Sequence, residues 1–208
     1  MTKFPDVSPE PVPQRAPLAW SIDELQRLLD ACDRMPGQLG SIPWPAYWRA
    51  LILVAYDSAE RIGALMQLEW HWLQGEWLHV RAEARKSRRR DMVYRLSPET
   101  LAALEAIRSP RRPLIFPWPL GKTYLWKKFG EVLKLAGLDS GPKSKFHRLR
   151  RTTASHYAAA GGDATQLLGH SDPRVTQKYL DPRVTSPKQP SEVLTRMNPR
   201  PPDGRRRS

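Results

Sequence analysis

The sequence predicts an α+β domain, mainly α-helical, with a small three-stranded antiparallel sheet. Three observations predict it. A capping box at Ser21 opens an amphipathic helix, and helix signals return along the chain as far as Leu180. Short extended segments cluster mid-chain at Trp77–Val80, Met92–Leu96 and Leu114–Phe116. At 208 residues there is room for one sizeable core.

The elements follow in order. Ser21-Ile22-Asp23-Glu24 is a capping box, Trp20 can staple onto Leu25 across it, and Ile22, Leu25, Leu28 and Leu29 repeat on one face. A second helix starts near Pro45, a residue suited to a first helical position, buries its apolar Leu51–Ala55 centre and ends near Asp57-Ser58. A further short helix carries Arg61, Leu65 and Leu68. The polar, basic stretch Arg81–Asp91 joins the first two strands as a hairpin. Ser97-Pro98-Glu99 combines a cap, a proline at the first position and an acid in the first turn, and its helix runs through Leu101, Leu104 and Ile107. Lys122–Ala136 is amphipathic and stops at Gly137. Helices over His147–Ala160 and Asp172–Leu180, with a short turn at Asp163–Leu168 between them, complete the domain.

Proline supplies 21 residues, about twice its average share. It concentrates at the ends, which divides the chain into a proline-rich leader (1–19), one domain (20–181) and a basic, proline-rich tail (182–208). Ser191–Met197 in that tail is a candidate short helix for self-association.

Charge narrows the partners. Thirty-four Lys and Arg against 21 Asp and Glu leave a net charge of +13. So large a surplus repels itself and favours a polyanion. A nucleic acid is the first candidate, an anionic membrane the second, and a merely basic surface the plain alternative. The longest wholly apolar run, Ala50–Tyr56, is far short of the roughly 20 residues of a spanning helix. The opening residues carry no signal-peptide pattern. A single cysteine, Cys32, offers neither an internal disulfide nor a zinc cluster, which fits a soluble protein of a reducing compartment.

The chemistry-bearing residues gather late. His147 and Arg150, at i and i+3, share one helix face near an N-terminus and can reach one phosphate, although a solvated basic helix explains them as simply. Gly169 ends a helix and presents His170 in the following turn, and eight residues separate His170 from Tyr179. Lys86 sits in the hairpin among Arg85, Arg88, Arg89 and Arg90, charges that read as phosphate contacts. Arg61 stands among Ile62, Ala64, Leu65 and Met66, so its cation needs a carboxylate or a substrate phosphate. Together these residues form a kit for attacking a phosphodiester with a phenol.

The order Arg61, Lys86, His147-x-x-Arg150, Gly169-His170, Tyr179 resembles the tyrosine recombinase (phage integrase) family over about residues 18–182. The stretches that carry the resemblance are Phe146-His147-Arg148-Leu149-Arg150-Arg151-Thr152, Leu167-Leu168-Gly169-His170-Ser171 and Tyr56–Ile62. It implies an integrase-like catalytic domain and a site of Arg61, Lys86, His147, Arg150, His170 and Tyr179, with Tyr179 as nucleophile. The implied function is site-specific cleavage and rejoining of DNA through a 3′-phosphotyrosine, with no metal, cofactor or ATP. Two arginines would neutralise the non-bridging oxygens, a role worth about 10³–10⁵ in rate in other phosphoryl transfers. His170 would donate to the same oxygens, His147 would assist proton transfer from Tyr179, and Lys86 would be the general acid.

Arg85, Arg88, Arg89, Arg90, Lys143, Lys145, Arg148 and Arg151 form the expected DNA-contacting set. Double-stranded DNA, a homo-oligomer (tetramer) on it, and a bacterial cytoplasmic or nucleoid location, phage- or mobile-element-encoded, are the implied context. Type IB topoisomerase-like relaxation and a non-catalytic DNA-binding remnant are the alternatives.

The sequence departs from the family in three places. Ala64 stands where a carboxylate is common, leaving Glu60 or Glu69 to hold Arg61. The segment from Ala160 to Gly169 is about one helical turn short. The 19-residue leader is too short to replace the family's separate N-terminal DNA-gripping domain.

Overall fold

A computed structural model describes residues 18–85, 90–141 and 145–186. Its first helix, α1 (Ile22–Cys32), begins as the capping box dictates. The Ser21 hydroxyl accepts the Glu24 N–H at 3.1 Å, and the Glu24 carboxylate accepts the Ser21 N–H at 2.8 Å. Trp20 is fully buried beside it. A hairpin of two-residue strands, β1 (Gln38–Leu39) and β2 (Ile42–Pro43), then leads into α2 (Trp44–Ser58). This hairpin had no clear signal in the sequence, because strands of two residues show no alternation to read.

Helix α2 is the central strut. Its buried residues face α1, α4 (Pro98–Glu105) and α6 (Phe146–Ala159), so its long apolar centre is covered on several sides. Trp44, Tyr47 and Trp48 at its start pack against Trp118, Phe116 and Phe129. Phe129 belongs to α5 (Lys122–Leu135), which the left-handed Gly137 (φ +67°) terminates as expected.

The sheet has the expected size but a different third strand. Its order is β3 (Leu73–Gln74), β4 (Trp77–Val80), β5 (Met92–Arg95), all antiparallel. Gly75, at φ +59°, permits the two-residue turn between β3 and β4. Leu114–Phe116 makes only a bridge at Leu114 to Glu69, with Ile115 N–H donating to the Leu68 carbonyl at 2.8 Å. Pro113 and Pro117 flank it and lack the N–H groups that a ladder would need.

Helix α4 ends at Glu105, before the expected Ile107, and two further helices are also shorter than the sequence suggests. Helix α3 (Ile62–Leu65) begins after Arg61, which is its extended N-cap residue, and ends before Leu68. Beyond α7 (Ala164–Leu168), helix α8 (Pro173–Gln177) stops two residues before Tyr179. Tyr179 lies in the turn after α8, its N–H donating to the Thr176 carbonyl at 2.7 Å. Asp181 precedes Pro182, a position that disfavours helical geometry, and a new short helix, α9 (Pro182–Thr185), packs on α6 past the expected domain boundary. No helix among the described residues is long and apolar enough to cross a membrane.

Candidate active site

Helix α6 buries Arg150, which is only 1% exposed. A guanidinium so buried needs acceptors, and it finds two carbonyls. One is that of Ala59, a left-handed residue (φ 51°) ending α2, and the other is that of Leu168 at 3.0 Å, ending α7. Nε remains without a partner among the described residues. Desolvation, then the nearby Arg61 charge, pulls the Arg150 pKa down to about 10, which still leaves it cationic at neutral pH.

Three rings close over this cation. Tyr179 stands 5.1 Å from His147 and 5.1 Å from His170, measured between ring centroids, and the Arg150 guanidinium lies 5.8 Å from the Tyr179 ring centre. Residues 32 positions apart in sequence thus meet because α6, α7 and the turn after α8 converge. His170 Nδ1 pairs with the Thr176 hydroxyl at 3.0 Å, while its Nε2 is buried and unpartnered among the described residues. Both histidines are held low, to about 4. For His147 the causes are desolvation, then Arg151, Arg150 and Arg61; for His170 they are desolvation, then Arg150, Arg61 and Arg85. Both are therefore neutral near pH 7.

Arg61 lies close enough to depress both imidazoles, and its guanidinium has no carboxylate partner among the described residues. Neither expected acid takes it. Glu69 pairs with His71 at 3.2 Å, and Glu60, 2% exposed, pairs with Arg85 at 2.6 Å and accepts the Tyr94 hydroxyl at 2.8 Å.

The expected DNA-contacting residues are dispersed. Arg85 is not at the surface: it is 3% exposed, bound to Glu60 and within 3.5 Å of the Leu168 carbonyl. Its buried pairing leaves it unable to reach a groove. Arg90 is exposed and reaches the Gln166 carbonyl at 3.5 Å. Lys145 lies over Trp126, and Arg148 lies over Trp20, near the charges of Glu24, Asp139 and Asp181. Arg151 acts electrostatically on His147. Lys86, Arg88, Arg89 and Lys143 lie outside the described residues. No group of three or more His, Cys, Asp or Glu gathers as a metal site among the described residues.

The profile of the phage integrase family matches residues 21–185, most of the chain and all of this geometry. The chain belongs to the phage integrase family. No curated protein matches it significantly in sequence. Its fold is similar to that of XerA recombinase, with TM-score 0.63 and 22% identity, covering 82% of this chain and 61% of that one. The catalytic domain of bacteriophage HP1 integrase gives TM-score 0.60 and 17% identity over 78% of this chain and 86% of that one. Lambda integrase, in a tetramer bound to a Holliday junction, gives TM-score 0.61 and 19% identity over 83% and 50%. The chain thus spans about three fifths of XerA recombinase and half of lambda integrase.

Within this integrase fold, the supporting residues are the ones that sequence reasoning missed. The Glu60–Arg85 pair had no local signal, since the arginine next to Glu60 in sequence is Arg61 and its actual partner lies 25 positions on. Asp181 had none, since it reads as an ordinary cap before Pro182. The carbonyls of Ala59 and Leu168 are invisible to any reading of side chains.

Proposed function

We propose that this chain is the catalytic part of a site-specific DNA recombinase that cuts and reseals strands through Tyr179. The observation that carries the reading is the Tyr179 ring set between His147 and His170 against the Arg150 guanidinium. The phenol oxygen attacks the scissile phosphorus and its proton passes to neutral His147. The phosphorus–O5′ bond breaks, leaving a 3′-phosphotyrosine and a free 5′-hydroxyl whose proton comes from Lys86. Arg150 and Arg61, the latter without a carboxylate partner among the described residues, take up the charge on the non-bridging oxygens, and His170 Nε2 donates to one of them. Reversal with the same or another 5′-hydroxyl reseals DNA without ATP, because the covalent bond keeps the phosphodiester's energy. The cationic side chains supply the neutralisation for which other enzymes use a metal.

Double-stranded DNA is the substrate on this reading, and the +13 net charge suits it. Assembly into a tetramer on DNA follows by analogy with lambda integrase, and cytoplasmic action follows from the substrate. The test is a pool of nicked duplexes with a randomised core, on which cleavage releases a short strand and traps the adduct. Wild type should partition with DNA as a covalent species of defined sequence, and Tyr179→Phe should bind the same duplexes without trapping. An adduct that survives in Tyr179→Phe, or none from wild type on any sequence, overturns the reading. Relaxation of supercoils with no strand exchange between duplexes would move the assignment to a topoisomerase.

A further inference from the structure

Asp181 lies two residues beyond Tyr179 and is 1% exposed. A buried carboxylate is costly unless it is surrounded by donors. Arg183 supplies several of them, its Nη2 approaching to 2.6 Å and its N–H to 3.0 Å. One donor comes from far away: Ala19 N–H bonds Oδ2 at 2.8 Å across 162 positions. Burial alone would push this carboxyl up, but Arg183 and the Ala19 N–H outweigh it and hold it below the usual range. Next to Ala19, Trp20 N–H donates to the Thr152 hydroxyl at 2.9 Å, also buried. The backbone N–H of Asp181 itself donates to the Ser155 hydroxyl at 2.9 Å.

A side chain that only capped α9 would need Arg183 N–H and no more. This one joins the chain leading into the domain to the segment that carries Tyr179, and both are laced to α6 beside Arg150. Helix α8 has five residues and cannot hold Tyr179 rigidly by itself. Downstream of the tyrosine, Leu180 packs on the small cluster of Ala59, Ala154, Ala164 and Leu168, and Asp181 is the first residue whose side chain is held by polar bonds to other segments.

We propose that Asp181 is a positioning residue that ties Tyr179 to the chain entering the domain at Ala19, so that displacement of that lead-in segment moves the tyrosine. The proposal rests on the reading of Tyr179 as nucleophile only for its catalytic consequence; the tie itself is independent of it.

The test uses the full 208-residue chain. Ala19→Pro removes one N–H and leaves Asp181 untouched. Thr152→Val releases the neighbouring Trp20 N–H, and Thr152→Ser keeps the hydroxyl. Amide hydrogen exchange at Tyr179, Leu180 and Asp181 should quicken by about tenfold in Ala19→Pro and Thr152→Val, and stay at the wild-type rate in Thr152→Ser. Amides in the middle of α2 should not change in any of them. Adduct formation on the duplex selected by wild type should slow by a similar factor, with duplex affinity unchanged. Unaltered exchange at all three amides in both loosening variants overturns the tie, whether or not the chain cleaves DNA. Altered exchange with no adduct from wild type upholds the tie and overturns the nucleophile reading instead.

Discussion

Glu60 and Arg85 form an ion pair, Oε1 to Nε 2.6 Å, with both side chains almost wholly sealed from water. Among the described residues Glu60 is the sole carboxylate facing Arg85, and Arg150 lies close enough to share its field. Removing the acid alone strands a buried cation, which typically costs about 3–5 kcal/mol, whereas replacing both partners with apolar groups is often near neutral. Glu60→Gln should therefore lose about 3 kcal/mol or more in urea unfolding. Glu60→Gln combined with Arg85→Met should recover most of it. A single variant within about 1 kcal/mol of wild type would show that the pair is a spectator.

Gly169 ends α7 at φ +66°, and a β-carbon there would meet the Arg85 Nη2 at 2.7 Å. Two separate costs follow for any side chain. The left-handed backbone costs about 1–2 kcal/mol for alanine and less for asparagine. The close approach to Arg85 is the same for both. Unfolding measurements should show Gly169→Asn to be destabilised less than Gly169→Ala but still clearly below wild type, because the guanidinium is itself pinned by Glu60 and cannot retreat freely. Full recovery to wild-type stability in the asparagine variant would mean that backbone conformation alone selects glycine.

Much of the domain could be read from the chain because its signals were local. Ser21 and Glu24 cap each other, Ser97 caps α4, and Gly137 stops α5, each within one helical turn. The meeting of His147, Arg150, His170 and Tyr179 was expected from their order, and their rings and charges do converge. What stayed hidden depends on distant partners. Arg85 looked like a groove contact because its neighbours are basic, but Glu60, 25 positions earlier, draws it inside. The third strand is Leu73–Gln74 rather than the expected Leu114–Phe116, because a glycine turn favours the first and two flanking prolines block the second. Tyr179 fell outside α8 because that helix closes at Gln177 in a tighter turn, the Tyr179 N–H bonding the Thr176 carbonyl three residues back.

Thr176 is buried, and its hydroxyl sits 3.0 Å from His170 Nδ1. A hydroxyl that donates to Nδ1 leaves the proton on Nε2, the nitrogen with no partner among the described residues and the one that would face a phosphate oxygen. Thr176→Val keeps the shape and deletes the donor. The imidazole should then lose its tautomeric preference, visible in the nitrogen shifts of His170. Adduct formation should slow by about tenfold, the worth of one ordinary hydrogen bond, with DNA affinity little changed. Nitrogen shifts identical to wild type would rule the threonine out as the control on that proton.

Acid should weaken the free protein and strengthen its hold on DNA. His147 and His170 are held at about 4 in the folded chain, against about 6.5 for a histidine in an unfolded one. Between those values the unfolded chain binds protons that the folded chain refuses, so stability falls as pH drops from about 6.5 toward 4 and is flat above. His156, lowered by burial beside Tyr56, adds to the same slope from outside the site. A phosphate seated among His147, His170 and Arg150 opposes the local positive field and raises both site histidines. Binding should then take up protons, and affinity should rise as pH is lowered from about 7 to 5. Calorimetry of Tyr179→Phe on the selected duplex, in two buffers of different ionisation heat, measures that uptake directly. Substituting His147→Gln and His170→Gln together should abolish it while leaving the His156 share of the stability slope. Proton release on binding in that range would mean that the phosphate does not sit between these two rings.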